Sequence, residues 1–228
     1  MKKLIVTADD FGFNSKINRG IIDAHKNGVV TSTSLFVTRE GFKEAIYLAK
    51  ENPRLEIGLH LDLDTFFNID HSVGKIIGWS MTPPPLDEVE KEIKRQIEIF
   101  KSTGLILDHI TSHHQTHLIK DVFLILCRIA KEYNIRAIRL FKKFYNSIEE
   151  YNYLYNILKQ NDIVSTEHFI EGWYWGNIDE EFNNAELMTH PGYGELWREY
   201  ELLSCCSSEL KNYLREKNIQ LITFRDLR

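Results

Sequence analysis

The chain has 228 residues, 43% hydrophobic and 27% charged, ordinary globular usage that excludes a disordered or low-complexity polypeptide. A formal net charge of −5 leaves no broad basic face to neutralise phosphates, which argues against a nucleic-acid partner. Three cysteines, two of them adjacent (Cys205 and Cys206), form no even framework, so structural disulfides are not expected and a reducing cytoplasm is the expected compartment.

The N-terminus, Met1-Lys2-Lys3-Leu4-Ile5-Val6, starts like a secretion signal, but its apolar run ends at Ala8 and meets Asp9-Asp10. That run is too short for a signal core or a membrane span, so no membrane partner is expected. Strands are predicted at 4–8, 34–37, 57–63, 107–111, 137–140, 167–170, 186–189 and 220–224. Helical patterns run between them. The first, 15–25, is capped by Asn14 or Ser15 and ended by Gly28. A second, 87–103, follows Pro83-Pro84-Pro85 and repeats Val89, Ile93, Ile97 and Phe100 at helical spacing. A third, 118–133, sets Val122, Ile125, Leu126, Ile129 and Ala130 on one face, with Cys127 packing in the same run. Short strands alternating with helices are the mark of βα units. Eight of them suit one α/β domain over residues 1–228, a distorted TIM-like (β/α) barrel rather than an open sheet. Residues 64–85, rich in Gly, Pro and aromatics, are expected to form a loop over one barrel face. Arg136, Arg139, Lys142 and Lys143 read as a solvated loop after a strand.

Four segments carry chemistry. In Thr7-Ala8-Asp9-Asp10-Phe11-Gly12 a buried strand runs into two carboxylates, which are costly at a strand end unless they bind something; helix capping is the bland alternative. His60 lies within the apolar run Ile57-Gly58-Leu59-His60-Leu61 and, alone, reads as a packed core histidine. Ser112-His113-His114-Gln115-Thr116-His117 puts three histidines within five positions at the end of another strand, a density that favours a divalent metal. Met188-Thr189-His190-Pro191-Gly192 ends a late strand in a histidine fixed by a turn. Active sites of parallel β/α proteins lie at these C-terminal strand ends.

In this order the four segments resemble the YdjC-like carbohydrate deacetylase family, which includes chito-oligosaccharide deacetylases. The family's Ala-Asp-Asp-Phe-Gly turn is matched by residues 8–12, its Gly-x-His by 58–60, its Ser-His-His tract by 112–117 and its Met-x-His-Pro by 188–191. The stretch 29–34 and the closing Phe224-Arg225-Asp226 are similar too. The resemblance implies a distorted TIM-like barrel that removes N-acetyl groups from amino sugars. It implies one divalent ion, Mg2+ or Zn2+, held by Asp10, His60 and His113, with Asp9 as general base and His190 as general acid. Two positions depart from the pattern: Thr111 stands where relatives carry aspartate, and Gln115 where they carry a third histidine. Thr111 cannot hold a full charge, which puts the orientation of the neighbouring histidines in question.

Amide hydrolysis needs a nucleophile, a stabilised oxyanion and a proton for the amine, which a metal, a carboxylate and an imidazole can divide among them. For contact with an N-acetylated sugar the candidates are His114, His117, Arg139 and Tyr193. The aromatics Phe66, Phe67, Trp79, Trp173, Tyr174, Trp175 and Trp197 are further candidates, since aromatic planes pack well on sugar C–H faces. Exposed aromatics would also permit a homodimer. Competing readings are a phosphoesterase or amidohydrolase with two bridged metals, and a non-catalytic sugar binder that keeps the fold.

Overall fold

A computed structural model describes residues 1–82, 85–172 and 178–227. The elements run β1 (Lys2–Phe11), α1 (Ser15–Asn27), β2 (Ser32–Leu35), α2 (Phe42–Glu51), β3 (Glu56–Leu61), β4 (Phe67–Asp70), β5 (Lys75–Trp79), α3 (Leu86–Ser102), β6 (Ile110–Ser112), α4 (Lys120–Tyr133), α5 (Ile148–Gln160), β7 (His168–Glu171), β8 (Asn184–Thr189), α6 (Leu196–Cys206), α7 (Ser208–Glu216) and β9 (Ile219–Ile222). Seven strands form a parallel sheet ordered β6-β3-β2-β1-β8-β7, with β9 also paired to β1. β1 is central because Leu4, Ile5, Val6 and Ala8 are buried on both faces, as parallel strands covered by helices must be.

The expected strand at 137–140 is reduced to isolated parallel bridges, Ile110 to Ile138 and Ala137 to Val164. The ladder fails there because the Leu140 amide donates to the Ser165 hydroxyl, 2.9 Å away, instead of to a backbone carbonyl. Val164 lies on the run that continues into β7, and β7 pairs β8. The sheet thus curls from β6 round to β8 through a weak seam, giving the distorted TIM-like barrel expected. Residues 64–85 are less irregular than their composition suggested: β4 and β5 form an antiparallel hairpin, held by Phe67 stacked on Trp79 with ring centroids 4.4 Å apart. These two aromatics are occupied with each other.

Helices cover the outside of the sheet. α3 buries Val89, Ile93, Ile97 and Phe100 completely, each worth about 1.5–3 kcal/mol relative to exposure. Asn14 caps α1 by accepting from the Ile17 amide at 3.0 Å. Among the described residues no helix is long and apolar enough to cross a membrane. All three cysteines are free thiols. Burial pushes Cys127 and Cys205 up to about 12.

Candidate active site

Successive residues of a strand point to opposite faces, so two adjacent acids at one site need a break in the strand. β1 supplies it. Its register on β2 slips between Ala8 and Phe11, and Asp10 sits at φ 72°, a left-handed conformation that costs a non-glycine residue about 1–2 kcal/mol. A bulge of this kind re-aims a side chain, and both Asp9 and Asp10 line one cleft of about 700 Å³ at the C-terminal strand ends. Gly12 completes the turn at φ 88°, where an added Cβ would lie 2.7 Å from the Phe36 carbonyl oxygen.

Asp9 is buried. Its Oδ2 accepts from Arg139 at 2.6 Å, and its Oδ1 accepts from Arg139 at 3.0 Å and from the Ser34 hydroxyl at 2.7 Å. Burial alone would raise its pKa, but the Arg139 guanidinium, with His60 and His190, holds it well below the usual carboxylate range. Arg139 also donates twice to Glu186 Oε1, at 3.0 and 2.6 Å. Arg139 is 0% exposed, which corrects its reading as part of a solvated loop. It is absent from the residues lining the cleft, and its cation is spent on two carboxylates, so it positions Asp9 and offers no face to a sugar.

Asp10 leans on a different cation. Its Oδ2 accepts from Arg198 of α6 at 2.6 Å. Its Oδ1 lies 3.3 Å from His60 Nε2 and has no hydrogen-bond partner although buried. His60 turns its other nitrogen, Nδ1, to the Thr111 hydroxyl at 2.7 Å and to Ser34 at 3.1 Å. Thr111 therefore holds this imidazole by a neutral hydrogen bond. His113 follows β6 directly. The His60 and His113 rings are 5.9 Å apart, and both pack edge-on to Phe36. The orphaned Asp10 oxygen facing an imidazole nitrogen, with a second imidazole beside it, offers the oxygen and nitrogen donor types that a divalent cation takes.

His113 and His114 each direct Nδ1 to Asp64 Oδ2, at 2.8 and 3.0 Å. Among the described residues, the set with three donor atoms within 4.8 Å of one another is Asp64, His113 and His114; Asp10, His60 and His113 do not close to that spacing. Burial opposes charge on His113, but Asp64 and Asp10 raise its pKa. His190 lines the same cleft as Ser112 and His113. Burial would lower its pKa, yet Glu201, reinforced by Asp10 and Asp9, raises it. Glu201 accepts from the His190 amide at 2.5 Å and from the Thr189 hydroxyl at 2.6 Å, which fixes the turn.

The remaining substrate candidates divide. His114 lines the cleft, as does Trp197, which is 50% exposed. His117 does not: it is fully buried, paired with Ser112 at 2.6 Å and the Arg139 carbonyl at 2.9 Å, and burial pushes its pKa down to about 3. Tyr193 lies outside the cleft lining and donates its hydroxyl to Asp23 at 2.6 Å. Trp173, Tyr174 and Trp175 fall outside the described residues. Sequence reasoning overlooked Arg198, Glu186 and Glu201, whose roles rest on pairings across the barrel. Asp64, within the loop expected over residues 64–85, has no local signal of its role.

A curled parallel sheet with acids, imidazoles and a buried arginine gathered at its strand ends defines a barrel of the TIM-like class with an acid–imidazole centre. Residues 3–216 match the model of the YdjC-like protein family, and the chain belongs to that family. It is 32% identical to a carbohydrate deacetylase of Brevibacillus brevis, with 99% of each chain covered. It is 31% identical to a chitooligosaccharide deacetylase of Proteus mirabilis, with 98% of each covered. A crystal structure from Enterococcus faecalis V583, provisionally described as a cellobiose-phosphate cleavage protein, superposes with a TM-score of 0.80 at 28% identity, covering 99% of this chain and 98% of that one.

Proposed function

We propose that this chain is a metal-dependent carbohydrate deacetylase that hydrolyses N-acetyl groups on amino sugars or chito-oligosaccharides. The observation that carries the reading is the unpartnered Asp10 Oδ1 facing His60 Nε2 at 3.3 Å, in the cleft that also holds Asp9, His113 and His190. The similarity to named carbohydrate deacetylases supports the substrate class.

Asp10, His60 and His113 would hold the ion. When bound, a divalent ion there acidifies a water and polarises the acetyl carbonyl. Asp9 accepts the proton of the attacking water. A carboxylate offers about four acceptor positions, and Arg139 and Ser34 use three, so one stays open towards the cleft. Its depressed pKa makes Asp9 a weak base, suited only to a water that is already acidic. His190, whose protonated form Glu201, Asp10 and Asp9 favour, gives its proton to the departing sugar amine. Trp197 offers a flat apolar face beside His190, with ring centroids 5.7 Å apart, against which a sugar ring can pack.

Acetate release from N-acetylated chitobiose, with and without chelator, tests the activity. Asp9→Asn should keep stoichiometric metal and lose about a hundredfold to ten-thousandfold in turnover. His113→Ala should lose metal and activity together. Full turnover by Asp9→Asn, or stoichiometric metal on His113→Ala, overturns the respective assignments.

A further inference from the structure

The tract His113–Leu118 is a 3-10 turn with a kink in which His114 and Gln115 adopt φ 50° and 57°. Two consecutive non-glycine residues in the left-handed region are strained, and such strain persists only where the surroundings over-determine it. Asp64 is the contact that the two histidines of this stretch share. Adjacent side chains would ordinarily diverge, yet His113 and His114 converge until their ring centroids are 3.8 Å apart, each with Nδ1 on the same oxygen of Asp64. Asp64 is placed for this by chain topology. It opens the short turn Asp64–Phe66 four residues beyond His60, and the β3 and β6 exits adjoin because those strands pair.

A carboxylate that receives two N–H groups on one oxygen is ionised and acts only as an acceptor. Each imidazole then carries its proton on Nδ1, and in its neutral form keeps a lone pair on Nε2. Metal-ligating histidines commonly donate their other N–H to a carboxylate or carbonyl, which fixes tautomer and ring orientation. His60 has only hydroxyl partners for its Nδ1, so the anionic support in this chain falls on His113.

Resting on the deacetylase reading above, we propose that Asp64 is a positioning residue, a shared acceptor that locks His113 and His114 in the Nδ1–H tautomer. His113 is thereby presented to the ion through Nε2, and His114 to the substrate. Asp64 does not itself ligate the ion, although the cluster Asp64, His113 and His114 has the spacing of a ligand set. The two roles are chemically exclusive at these atoms, because ligation through Nδ1 would require both shared protons to leave.

The test uses the full chain stripped of metal. Long-range 1H–15N correlation should show His113 and His114 protonated on Nδ1 in the metal-free protein, and protonated predominantly on Nε2 in Asp64→Ala. Titration with Zn2+ alone should show Asp64→Ala binding one ion about 10- to 100-fold more weakly, with Asp64→Asn between it and the native protein, since the amide oxygen still accepts. Asp10→Ala should lose the site outright. The proposal is overturned if Asp64→Ala binds no ion while Asp10→Ala binds one, or if tautomers and affinity are unchanged in both Asp64 variants. None of these readouts needs a sugar. Absence of acetate release from every N-acetylated sugar, with tautomers and Zn2+ affinity responding as stated, would sink the deacetylase reading and leave the role of Asp64 standing.

Discussion

Replacing Arg139 by methionine is expected to be much more damaging than neutralising Glu186, and charge counting says why. The guanidinium makes four hydrogen bonds of 2.6–3.0 Å to Asp9 and Glu186, and all three side chains are buried. The trio holds one cation and two anions, a net charge of −1. Arg139→Met leaves two buried anions with no cation between them, whereas Glu186→Gln leaves a matched pair. Two unit charges about 4 Å apart interact by about 4 kcal/mol at an effective dielectric near 20. Removing one partner of a buried ion pair costs about 3–5 kcal/mol, the loss expected for Arg139→Met. Glu186→Gln forfeits about 1.5–3 kcal/mol of charge-assisted hydrogen bonding, offset in part because the Asp9–Arg139 pair is then neutral. At about 2–4 °C per kcal/mol for a chain of this size, the methionine variant should melt roughly 6–20 °C below the native protein. Urea unfolding followed by circular dichroism gives both free energies. The sign with pH is also fixed. Arg139 holds the Asp9 pKa down, so its contribution is fully present above the unfolded carboxylate pKa of about 3.9 and lost as pH falls below it, and the deficit should hold from pH 7 to about 4 and shrink below that. Equal losses in the two variants, or a deficit that ignores pH, would refute the reasoning.

Two further outcomes follow from buried groups. His109 and His117 are pushed down to about 3, chiefly by burial, so the folded state refuses protons that the unfolded chain accepts below about 6.5. Their stabilisation is complete above that pH and lost as pH falls towards 3, at up to about 1.4 kcal/mol per pH unit for each. His109→Gln should flatten the slope of unfolding free energy between pH 6 and 4.5 by about that amount, and an unchanged slope counts against the assignment. Gly12→Ala places a side chain at φ 88°, 2.7 Å from a carbonyl oxygen, and should cost at least about 2 kcal/mol. A loss under about 0.5 kcal/mol in urea unfolding would show that the turn is freer than described.

What the sequence revealed was what local pattern can carry. The apolar run into Asp9-Asp10, the period of α3 and the alternation of strand and helix were all readable, because each depends on neighbours within a few positions. Arg139 was not. Grouped with Arg136, Lys142 and Lys143 it reads as solvated, and its burial depends on Asp9, 130 residues away, and Glu186, 47 residues away. His117 was misjudged for the same reason: a histidine tract shows density, not which ring turns inward. The β4–β5 hairpin was hidden by its Gly- and aromatic-rich composition. Arg198 lay beside Trp197 in a helix, with no local sign that it reaches Asp10.

The seam between β6 and β7 bears on how the molecule moves. Elsewhere around the barrel longer ladders join the strands, but here the circuit is closed by isolated bridges at Ile138 and Val164, with four backbone hydrogen bonds and a serine hydroxyl. Local opening favours regions with few backbone hydrogen bonds, so amide exchange should be fastest along this edge and slowest in β1. Phe141 and Phe169, stacked 4.0 Å apart, straddle the seam and line the cleft. The flank of the cleft formed by those two rings is therefore expected to be its most compliant edge, while β1, and with it Asp9 and Asp10, stays fixed.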